Sequence, residues 1–157
     1  MKSAVVYYSF SGNTHRVAQD IIDILKQKGE EVTPVRIRPL KEETLFLKQC
    51  SEAFLAKKPE LYNTLLDLRV FDRLIIGSPV WALKPAPAIN TYLDKCSSLS
   101  GKEALCFVTY GSGLGKDRAL EVMKKRLEAK GAKVKNTVSV QQAESAEKYG
   151  ARLAEIL

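Results

Sequence analysis

Apolar runs and helix-period patterns alternate along the chain. Short runs of mainly apolar residues are typical of strands in a parallel sheet, and they predict strands at residues 4–8, 32–37, 73–77, 104–109 and 133–140. Elsewhere, apolar residues recur with the spacing of amphipathic helices. This spacing predicts helices around residues 17–25, 88–93, 116–130 and 146–156, and one or two more between residues 41 and 68.

Strands that alternate with helices favour an α/β fold, in which helices cover both faces of a doubly wound parallel sheet. Because the crossover connections are right-handed, a five-stranded sheet fits the order 2-1-3-4-5. We therefore expect one three-layer domain over residues 1–157. In such sheets a ligand binds beyond the carboxyl ends of the strands, near the point where the strand order reverses. The loops after the first, third and fourth strands therefore form the candidate site.

The chain is basic, with a formal net charge of +7. Its basic residues are spread along the sequence, and those around residues 116–130 flank apolar positions, which is typical of a solvent-exposed helix face. We therefore expect no nucleic-acid partner. No run approaches the roughly 20 apolar residues that cross a bilayer, so we expect no membrane partner either.

Three cysteines, Cys50, Cys96 and Cys106, form no Cys-x-x-Cys pair. This number and spacing argue against a disulfide framework and favour a reducing, cytoplasmic setting, with the cysteines as small buried residues. His15 is the only histidine, so a His-containing metal cluster or a Ser-His-Asp triad would have to include it. We expect it to face solvent, and we expect no metal site.

The first loop leads directly into the first helix and consists of Ser9, Phe10, Ser11, Gly12, Asn13 and Thr14. Its polar groups converge on a helix N-terminus, where unpaired N–H groups and the helix dipole bind phosphate. Gly12 allows the backbone to approach the anion closely. The same composition also suits an N-cap turn without a ligand. Arg16 follows in the first helical turn and would favour additional negative charge there.

The other two loops contain aromatic and glycine residues. Trp81, the only tryptophan, lies between prolines in the second loop, at residues 77–84. A stiff loop presenting an aromatic ring suits stacking on a flat ligand, although Trp81 packed in the core is the alternative. The third loop, at residues 109–115, contains three glycines whose amides could contact a ring edge, with Tyr110 over its face. The alternative interpretation of this loop is a flexible connection that binds no ligand.

These loops resemble those of flavodoxin-like proteins. Residues 9–14 resemble the phosphate loop Ser/Thr-x-Ser/Thr-Gly-Asn-Thr, while residues 77–81 with 84–88, and residues 109–113, resemble the two ring-facing loops. The resemblance covers essentially the whole chain and implies FMN, with its phosphate on Ser9, Ser11, Gly12, Asn13 and Thr14. It also implies that the isoalloxazine ring lies among Pro79, Val80, Trp81, Ala82, Thr109, Tyr110, Gly111, Ser112 and Gly113.

The sequence does not match other nucleotide-binding or phosphate-binding motifs. Tyr110 stands where a Walker loop requires glycine, and Lys116 stands where the dinucleotide fingerprint requires it. No cysteine is followed by arginine at the spacing of a Cys-x5-Arg phosphatase. Ser9 and Phe10 occupy the place of the acidic pair that follows the first strand of a receiver domain.

Two redox roles follow from the resemblance. One is an NAD(P)H-dependent reductase that passes electrons to FMN and then to a quinone or similar acceptor. The other is a one-electron carrier docking on a redox partner protein. A flavin-free binding module of the same fold is a third alternative. The sequence leaves open whether the protein forms a homo-oligomer.

Two features favour the reductase. The ring-facing loops contain no Asp or Glu, whereas carriers of the superfamily are typically acidic around the flavin. Those carriers also flip a peptide to positive φ beside the flavin. Residues 78–82 contain no glycine, Pro79 fixes its own φ, and Val80 is β-branched, so we expect no residue there to adopt positive φ readily. We therefore expect electrons to move in pairs.

Overall fold

The computed structural model describes residues 1–40, 58–62 and 64–157. The strands are β1 (Lys2–Tyr7), β2 (Glu31–Arg36), β3 (Arg73–Trp81), β4 (Lys84–Pro85), β5 (Glu103–Tyr110) and β6 (Lys133–Gln141). The helices are α1 (Asn13–Gln27), α2 (Pro87–Lys95), α3 (Lys116–Ala129) and α4 (Ala146–Ile156). Each predicted strand corresponds to a strand of the structure, and β4 is an addition.

Five parallel strands form the main sheet in the order β2-β1-β3-β5-β6, and β4 pairs with the end of β3 in antiparallel orientation. Counted without β4, this is the predicted order 2-1-3-4-5, and the α/β fold class is confirmed. The register places Val6 beside Ile76 and Ile76 beside Cys106 across the centre of the sheet. The order reverses between β1 and β3, so the candidate loops meet at the carboxyl edge.

Alternate residues of the central strands are buried on opposite faces of the sheet. Val6 and Ile76 belong to the core beneath α2 and α3, whereas Val5 and Ile75 belong to the core beneath α1 and α4. All four side chains are fully buried. Period-two burial on both faces explains why these strands contain nearly continuous apolar runs.

The third strand is longer than predicted. Residues 78–81, expected in a loop, continue β3: Pro79 lies beside Thr109 of β5, and Trp81 pairs with Lys84 of β4. Since β1 accompanies β3 only as far as Gly77, Pro79 stands at a local sheet edge. A proline, which lacks an N–H donor, is tolerated at such a position. The connecting turn is therefore reduced to Ala82 and Leu83.

The prediction of one or two helices between residues 41 and 68 lies largely outside the described residues, as does Cys50. Where described, residues 58–62 and 64–68 contain no helix, and isolated bridges join Pro39 to Leu61 and Asp67 to Ser97. Cys96 and Cys106 are buried free thiols, as expected, and burial raises the pKa of Cys106 to about 12. No helix in the described part of the chain is long and apolar enough to cross a membrane.

Candidate functional site

A cavity of about 520 Å³ opens at the carboxyl edge of the sheet and is bordered by all three predicted loops. Its volume lies within the range of small-molecule sites. The lining residues predicted from sequence are Phe10, Ser11, Asn13, Pro79, Val80, Trp81, Ala82, Gly111 and Ser112. The remaining lining residues are Leu83, Leu114 and Gln142, and none of the described lining residues carries a charge.

The first loop ends in an unblocked helix N-terminus. Gly12 precedes α1 with a φ of 95°, a left-handed conformation that favours glycine. Its N–H donates to Ser9 Oγ at 3.2 Å. Within the described chain, no acceptor pairs with the N–H groups of Asn13, Thr14 and His15. These open donors and the positive end of the helix dipole fit a phosphate group.

The polar side chains of the first loop divide between the cavity and the protein interior. Ser11 and Asn13 line the cavity, and Asn13 Nδ2 donates to Ser11 Oγ at 3.0 Å. Ser9 and Thr14 are buried instead. Thr14 Oγ1 forms a 2.7 Å hydrogen bond with Thr109 Oγ1 of β5. Thr14 thus holds the start of α1 against the sheet.

Three aromatic side chains pack together beside the first loop, and two of them, Phe10 and Trp81, line the cavity. The Trp81 ring packs edge-on against Tyr8, with centroids 5.5 Å apart, and against Phe10, with centroids 6.0 Å apart. Trp81 is 7% exposed and belongs to the core, yet it also lines the cavity. Phe10 is 38% exposed. Trp81 therefore packs in the core and also borders the cavity, whereas Phe10 presents the larger open aromatic surface, and stacking of Trp81 on a ligand stays a prediction.

The turn between β3 and β4 corrects an expectation. Ala82 and Leu83 adopt φ values of 45° and 65°, although neither is glycine. Positive φ at both central residues is required in type I′ hairpin turns, whose twist matches that of the flanking strands. The paired strands impose this geometry, which residue preferences alone argue against. Gly115 packs so closely against Leu83 that a Cβ atom at Gly115 would clash with the Cα atom of Leu83.

The third loop contributes backbone to the cavity rather than an aromatic ring. Gly111 and Ser112 line it, whereas Tyr110 faces a separate groove, with Lys116 Nζ 5.1 Å from its ring centroid. Thr109 is buried against Thr14, and Gly113 is absent from the described lining. Gln142 N–H donates to the carbonyl of Tyr110 at 2.9 Å, which joins this loop to the end of β6.

Sequence reasoning missed Leu83, Leu114 and Gln142. Leu83 and Leu114 directly follow Ala82 and Gly113, the last residues predicted to contact the ring in their loops, and both are exposed, by 43% and 72%. Gln142 follows the last strand, where no motif marks it. The carboxyl end of β6 adjoins that of β5, so extending the search to every strand end on that side of the reversal would have found it.

His15 is less exposed than expected, and Arg16 forms contacts that the sequence did not predict. His15 is partly buried, and its Nδ1 lies 2.7 Å from the Tyr7 hydroxyl. The Arg16 guanidinium donates to the carbonyls of Gln142 and Glu144 and to the Tyr149 hydroxyl. Arg16 therefore ties α1 to the segment before α4 and to Tyr149 of α4.

Solved structures of similar fold include an FMN-complexed flavoprotein from Lactobacillus acidophilus, which is 24% identical, with coverage of 96% of this chain and 98% of the other and a TM-score of 0.70. A Bacteroides uniformis protein assigned as a flavoprotein is 22% identical, with 97% of both chains covered and a TM-score of 0.76. A pneumococcal flavodoxin is 16% identical, with coverage of 100% and 97% and a TM-score of 0.69. These likenesses confirm the flavodoxin-like fold.

No curated protein matches the sequence. The model of a family described as NADPH-dependent FMN reductase matches residues 1–145, which is most of the chain. This match agrees with the open helix N-terminus and the uncharged cavity. It confirms the prediction, made from the sequence, that the cofactor is FMN. The chain belongs to the NADPH-dependent FMN reductase family.

Proposed function

We propose that the cavity binds FMN and that the protein is a reductase, taking hydride from NADPH and passing electrons to a small acceptor. The observation that carries the proposal is that one cavity, formed by the three loops, adjoins the open N-terminus of α1. Bound FMN supplies the redox chemistry, while the protein controls its position, access and potential.

The first loop would hold the phosphate. Gly12 allows the chain to turn into α1. The unpaired N–H groups of the first helical turn lie at the positive end of the helix dipole. Ser11 and Asn13 line the cavity beside them. The arrangement accounts for a phosphorylated flavin because these donors pair best with an anion.

The other two loops would hold the ring. Pro79, Val80, Ala82 and Leu83 provide apolar contacts on one side of the cavity, and Gly111 and Ser112 provide backbone groups on another. Phe10 and Trp81 close the wall nearest the phosphate loop. Apolar walls exclude water, and backbone amides offer hydrogen bonds to the polar edge of a flat ring.

The uncharged lining supports two-electron chemistry. No carboxylate lies among the described residues that line the cavity, so negative charge gained during reduction is not repelled by a side chain of the lining. Leu83 and Leu114 expose apolar surface beside the cavity. This surface suits a flat, mainly apolar acceptor of the quinone type.

A one-electron carrier is the second candidate, and one observation favours it. Ala82 and Leu83 already have positive φ, so the backbone geometry that the sequence argued against is present at the cavity. A carrier would dock through a basic surface on an acidic partner, consistent with the net charge of +7. Buried free thiols at Cys96 and Cys106 support a reducing, cytoplasmic setting for either role.

The deciding experiment begins with the absorption spectrum of the purified protein, before and after addition of FMN. The FMN-loaded protein is then mixed anaerobically with NADPH or NADH, and bleaching of the flavin band is followed before a quinone is added. We expect rapid bleaching by NADPH and rapid recovery with quinone. Failure to bind FMN would support the flavin-free module. Bound FMN that neither dinucleotide reduces would support the carrier.

A further inference from the structure

A groove of about 820 Å³ lies beside the flavin cavity, along β6 and the start of α4. Tyr110, Gln141 and Ala143 line the groove, whereas Gly111, Ser112 and Gln142 line the flavin cavity. Adjacent residues of the same two loops therefore form a shared wall. Gln141 Nε2 donates to the Gly111 carbonyl at 3.1 Å and braces this wall. A ligand that crosses the wall can occupy both spaces.

The groove has a cationic lining. Arg152 holds Glu144 through contacts of 2.6 and 3.1 Å, and it also donates to the Ser139 carbonyl at 3.2 Å. This pair neutralises itself. Lys116 and Lys148 also line the groove, and neither forms an ion pair within the described chain. Two ammonium groups are thus in excess over the carboxylate.

Neutral donors complete the lining. Three residues with hydroxyl groups, Thr137, Ser139 and Ser145, also line the groove. Ser145 is the N-cap of α4 and lies at the positive end of that helix dipole, where Glu147 of the first turn offsets part of the field. Lysine binds phosphate as a mobile point charge, and hydroxyls add hydrogen bonds. The groove therefore has the chemistry of a polyanion site, in contrast to the uncharged flavin cavity.

We infer that this groove binds the phosphate groups at the adenosine end of NADPH. The nicotinamide end of the same NADPH molecule then reaches the flavin cavity across the shared wall. The inference rests on the proposed reductase function, because it assigns the dinucleotide that the reductase uses. Lys116 and Lys148 provide positive charge for the 2′-phosphate, the group that distinguishes NADPH from NADH. They are specificity residues that act on binding.

The first experiment measures binding without catalysis. Adenosine 2′,5′-bisphosphate and adenosine 5′-monophosphate are titrated calorimetrically into the protein, with and without FMN. The variants are Lys116→Gln/Lys148→Gln and the control Lys133→Gln, whose exposed lysine lies at the opposite end of β6. We expect the bisphosphate to bind at least tenfold tighter than the monophosphate. The double variant should lose this preference, and the control should keep it.

The second experiment measures steady-state reduction by each dinucleotide. The double variant should raise KM for NADPH at least tenfold, with kcat and the KM for NADH nearly unchanged. Equal bisphosphate affinity in the native protein and the double variant overturns the inference, as does competition by inorganic phosphate at the affinity of the bisphosphate. FMN binding is measured separately, so failure of the proposed reductase function is distinguishable from failure of this groove assignment.

Discussion

Thr14 Oγ1 lies 2.7 Å from Thr109 Oγ1, and this buried hydroxyl pair joins the first turn of α1 to the end of β5. The contact links the loop proposed to bind phosphate to the loop that follows β5. It places Thr14 behind the site rather than in the described cavity lining. The same pair gives the first prediction.

Replacing either threonine with valine leaves the other hydroxyl buried without its partner. We expect Thr14→Val and Thr109→Val each to lower the free energy of unfolding by about 1–3 kcal/mol. Replacing both should cost less than the sum of the single changes because no orphaned hydroxyl remains. Urea denaturation of the four proteins gives the coupling energy. Strict additivity would show that the hydrogen bond contributes nothing.

Gly12→Ala tests the phosphate loop. A Cβ atom at Gly12 meets no neighbour, so its φ of 95° is the source of strain. That strain costs about 1–2 kcal/mol and should weaken FMN binding roughly five- to thirtyfold, if FMN requires this backbone shape. Riboflavin, which lacks the phosphate, should bind the native protein more weakly and respond less to the substitution. Flavin fluorescence titration measures both affinities.

The matched control for Gly12 is Gly29→Ala. Gly29 has a φ of 78° and equally open surroundings, but it follows the opposite end of α1. It should lose comparable stability without changing FMN affinity. An equal loss of FMN affinity in both variants would mean that the Gly12 effect is global rather than local.

Substitutions of Phe10 and Trp81 distinguish the exposed aromatic residue that lines the cavity from the one that is mainly buried. Phe10→Ala should weaken FMN binding by about 1–3 kcal/mol if the flavin stacks as nucleobases do on aromatic residues. Trp81→Phe should mainly lower the free energy of unfolding, since Trp81 is a core residue. FMN should also quench Trp81 emission, because Trp81 lines the cavity. The reverse ranking of the two FMN affinities would assign stacking to Trp81.

Gly115→Ala tests the contact behind the Ala82–Leu83 turn. The left-handed backbone costs about 1–2 kcal/mol with alanine, and the added Cβ would also displace Leu83. We therefore expect lower stability and weaker FMN binding, measured by denaturation and titration. Gly150→Ala, in an open position within α4, is the control and should stabilise the protein by about 0.5–1 kcal/mol. Unchanged FMN affinity in Gly115→Ala would remove the turn from the site.

The Arg152–Glu144 pair predicts a pH dependence. Hydrogen bonding from Arg152 holds the pKa of the Glu144 carboxyl below its ordinary value. A lowered folded-state pKa contributes stability above the unfolded pKa of about 4.3, and the contribution disappears as pH falls through the folded value. Native protein should therefore lose more stability on acidification than Glu144→Gln. Denaturant titrations of the two proteins at each pH measure this difference, and equal losses would contradict the contribution of the pair.

Local sequence was sufficient to predict the five strands of the main sheet, although not the last four residues of β3 or the short strand β4. The order of the strands was predicted from the general rules of doubly wound sheets. Val5, Val6, Ile75 and Ile76 are apolar on both faces, which only a sheet covered by two helical layers accommodates. The first loop could also be predicted from sequence, because Gly12 and its polar neighbours directly precede the helical pattern of α1. Such features depend on residues adjacent in the chain.

The contacts inside the site required the tertiary structure. Sequence places Thr14 and Thr109 in separate loops, and only the packing of α1 on β5 turns their hydroxyls toward each other. The positive φ values of Ala82 and Leu83 contradict residue preference because strand pairing on both sides imposes the turn.

The sequence by itself determined the layers and the segments that meet at the carboxyl edge of the sheet, since hydrophobic periodicity and loop composition are local properties. General rules of doubly wound sheets then indicated the strand order. The tertiary structure decided which residues line the cavity. Phe10 is its more exposed aromatic residue, Tyr110 lines the neighbouring groove instead, and Gln142 joins the cavity from a strand end without a motif. These orientations depend on packing between segments distant in the chain, where a neighbouring backbone or ring occupies the space that local preference leaves open.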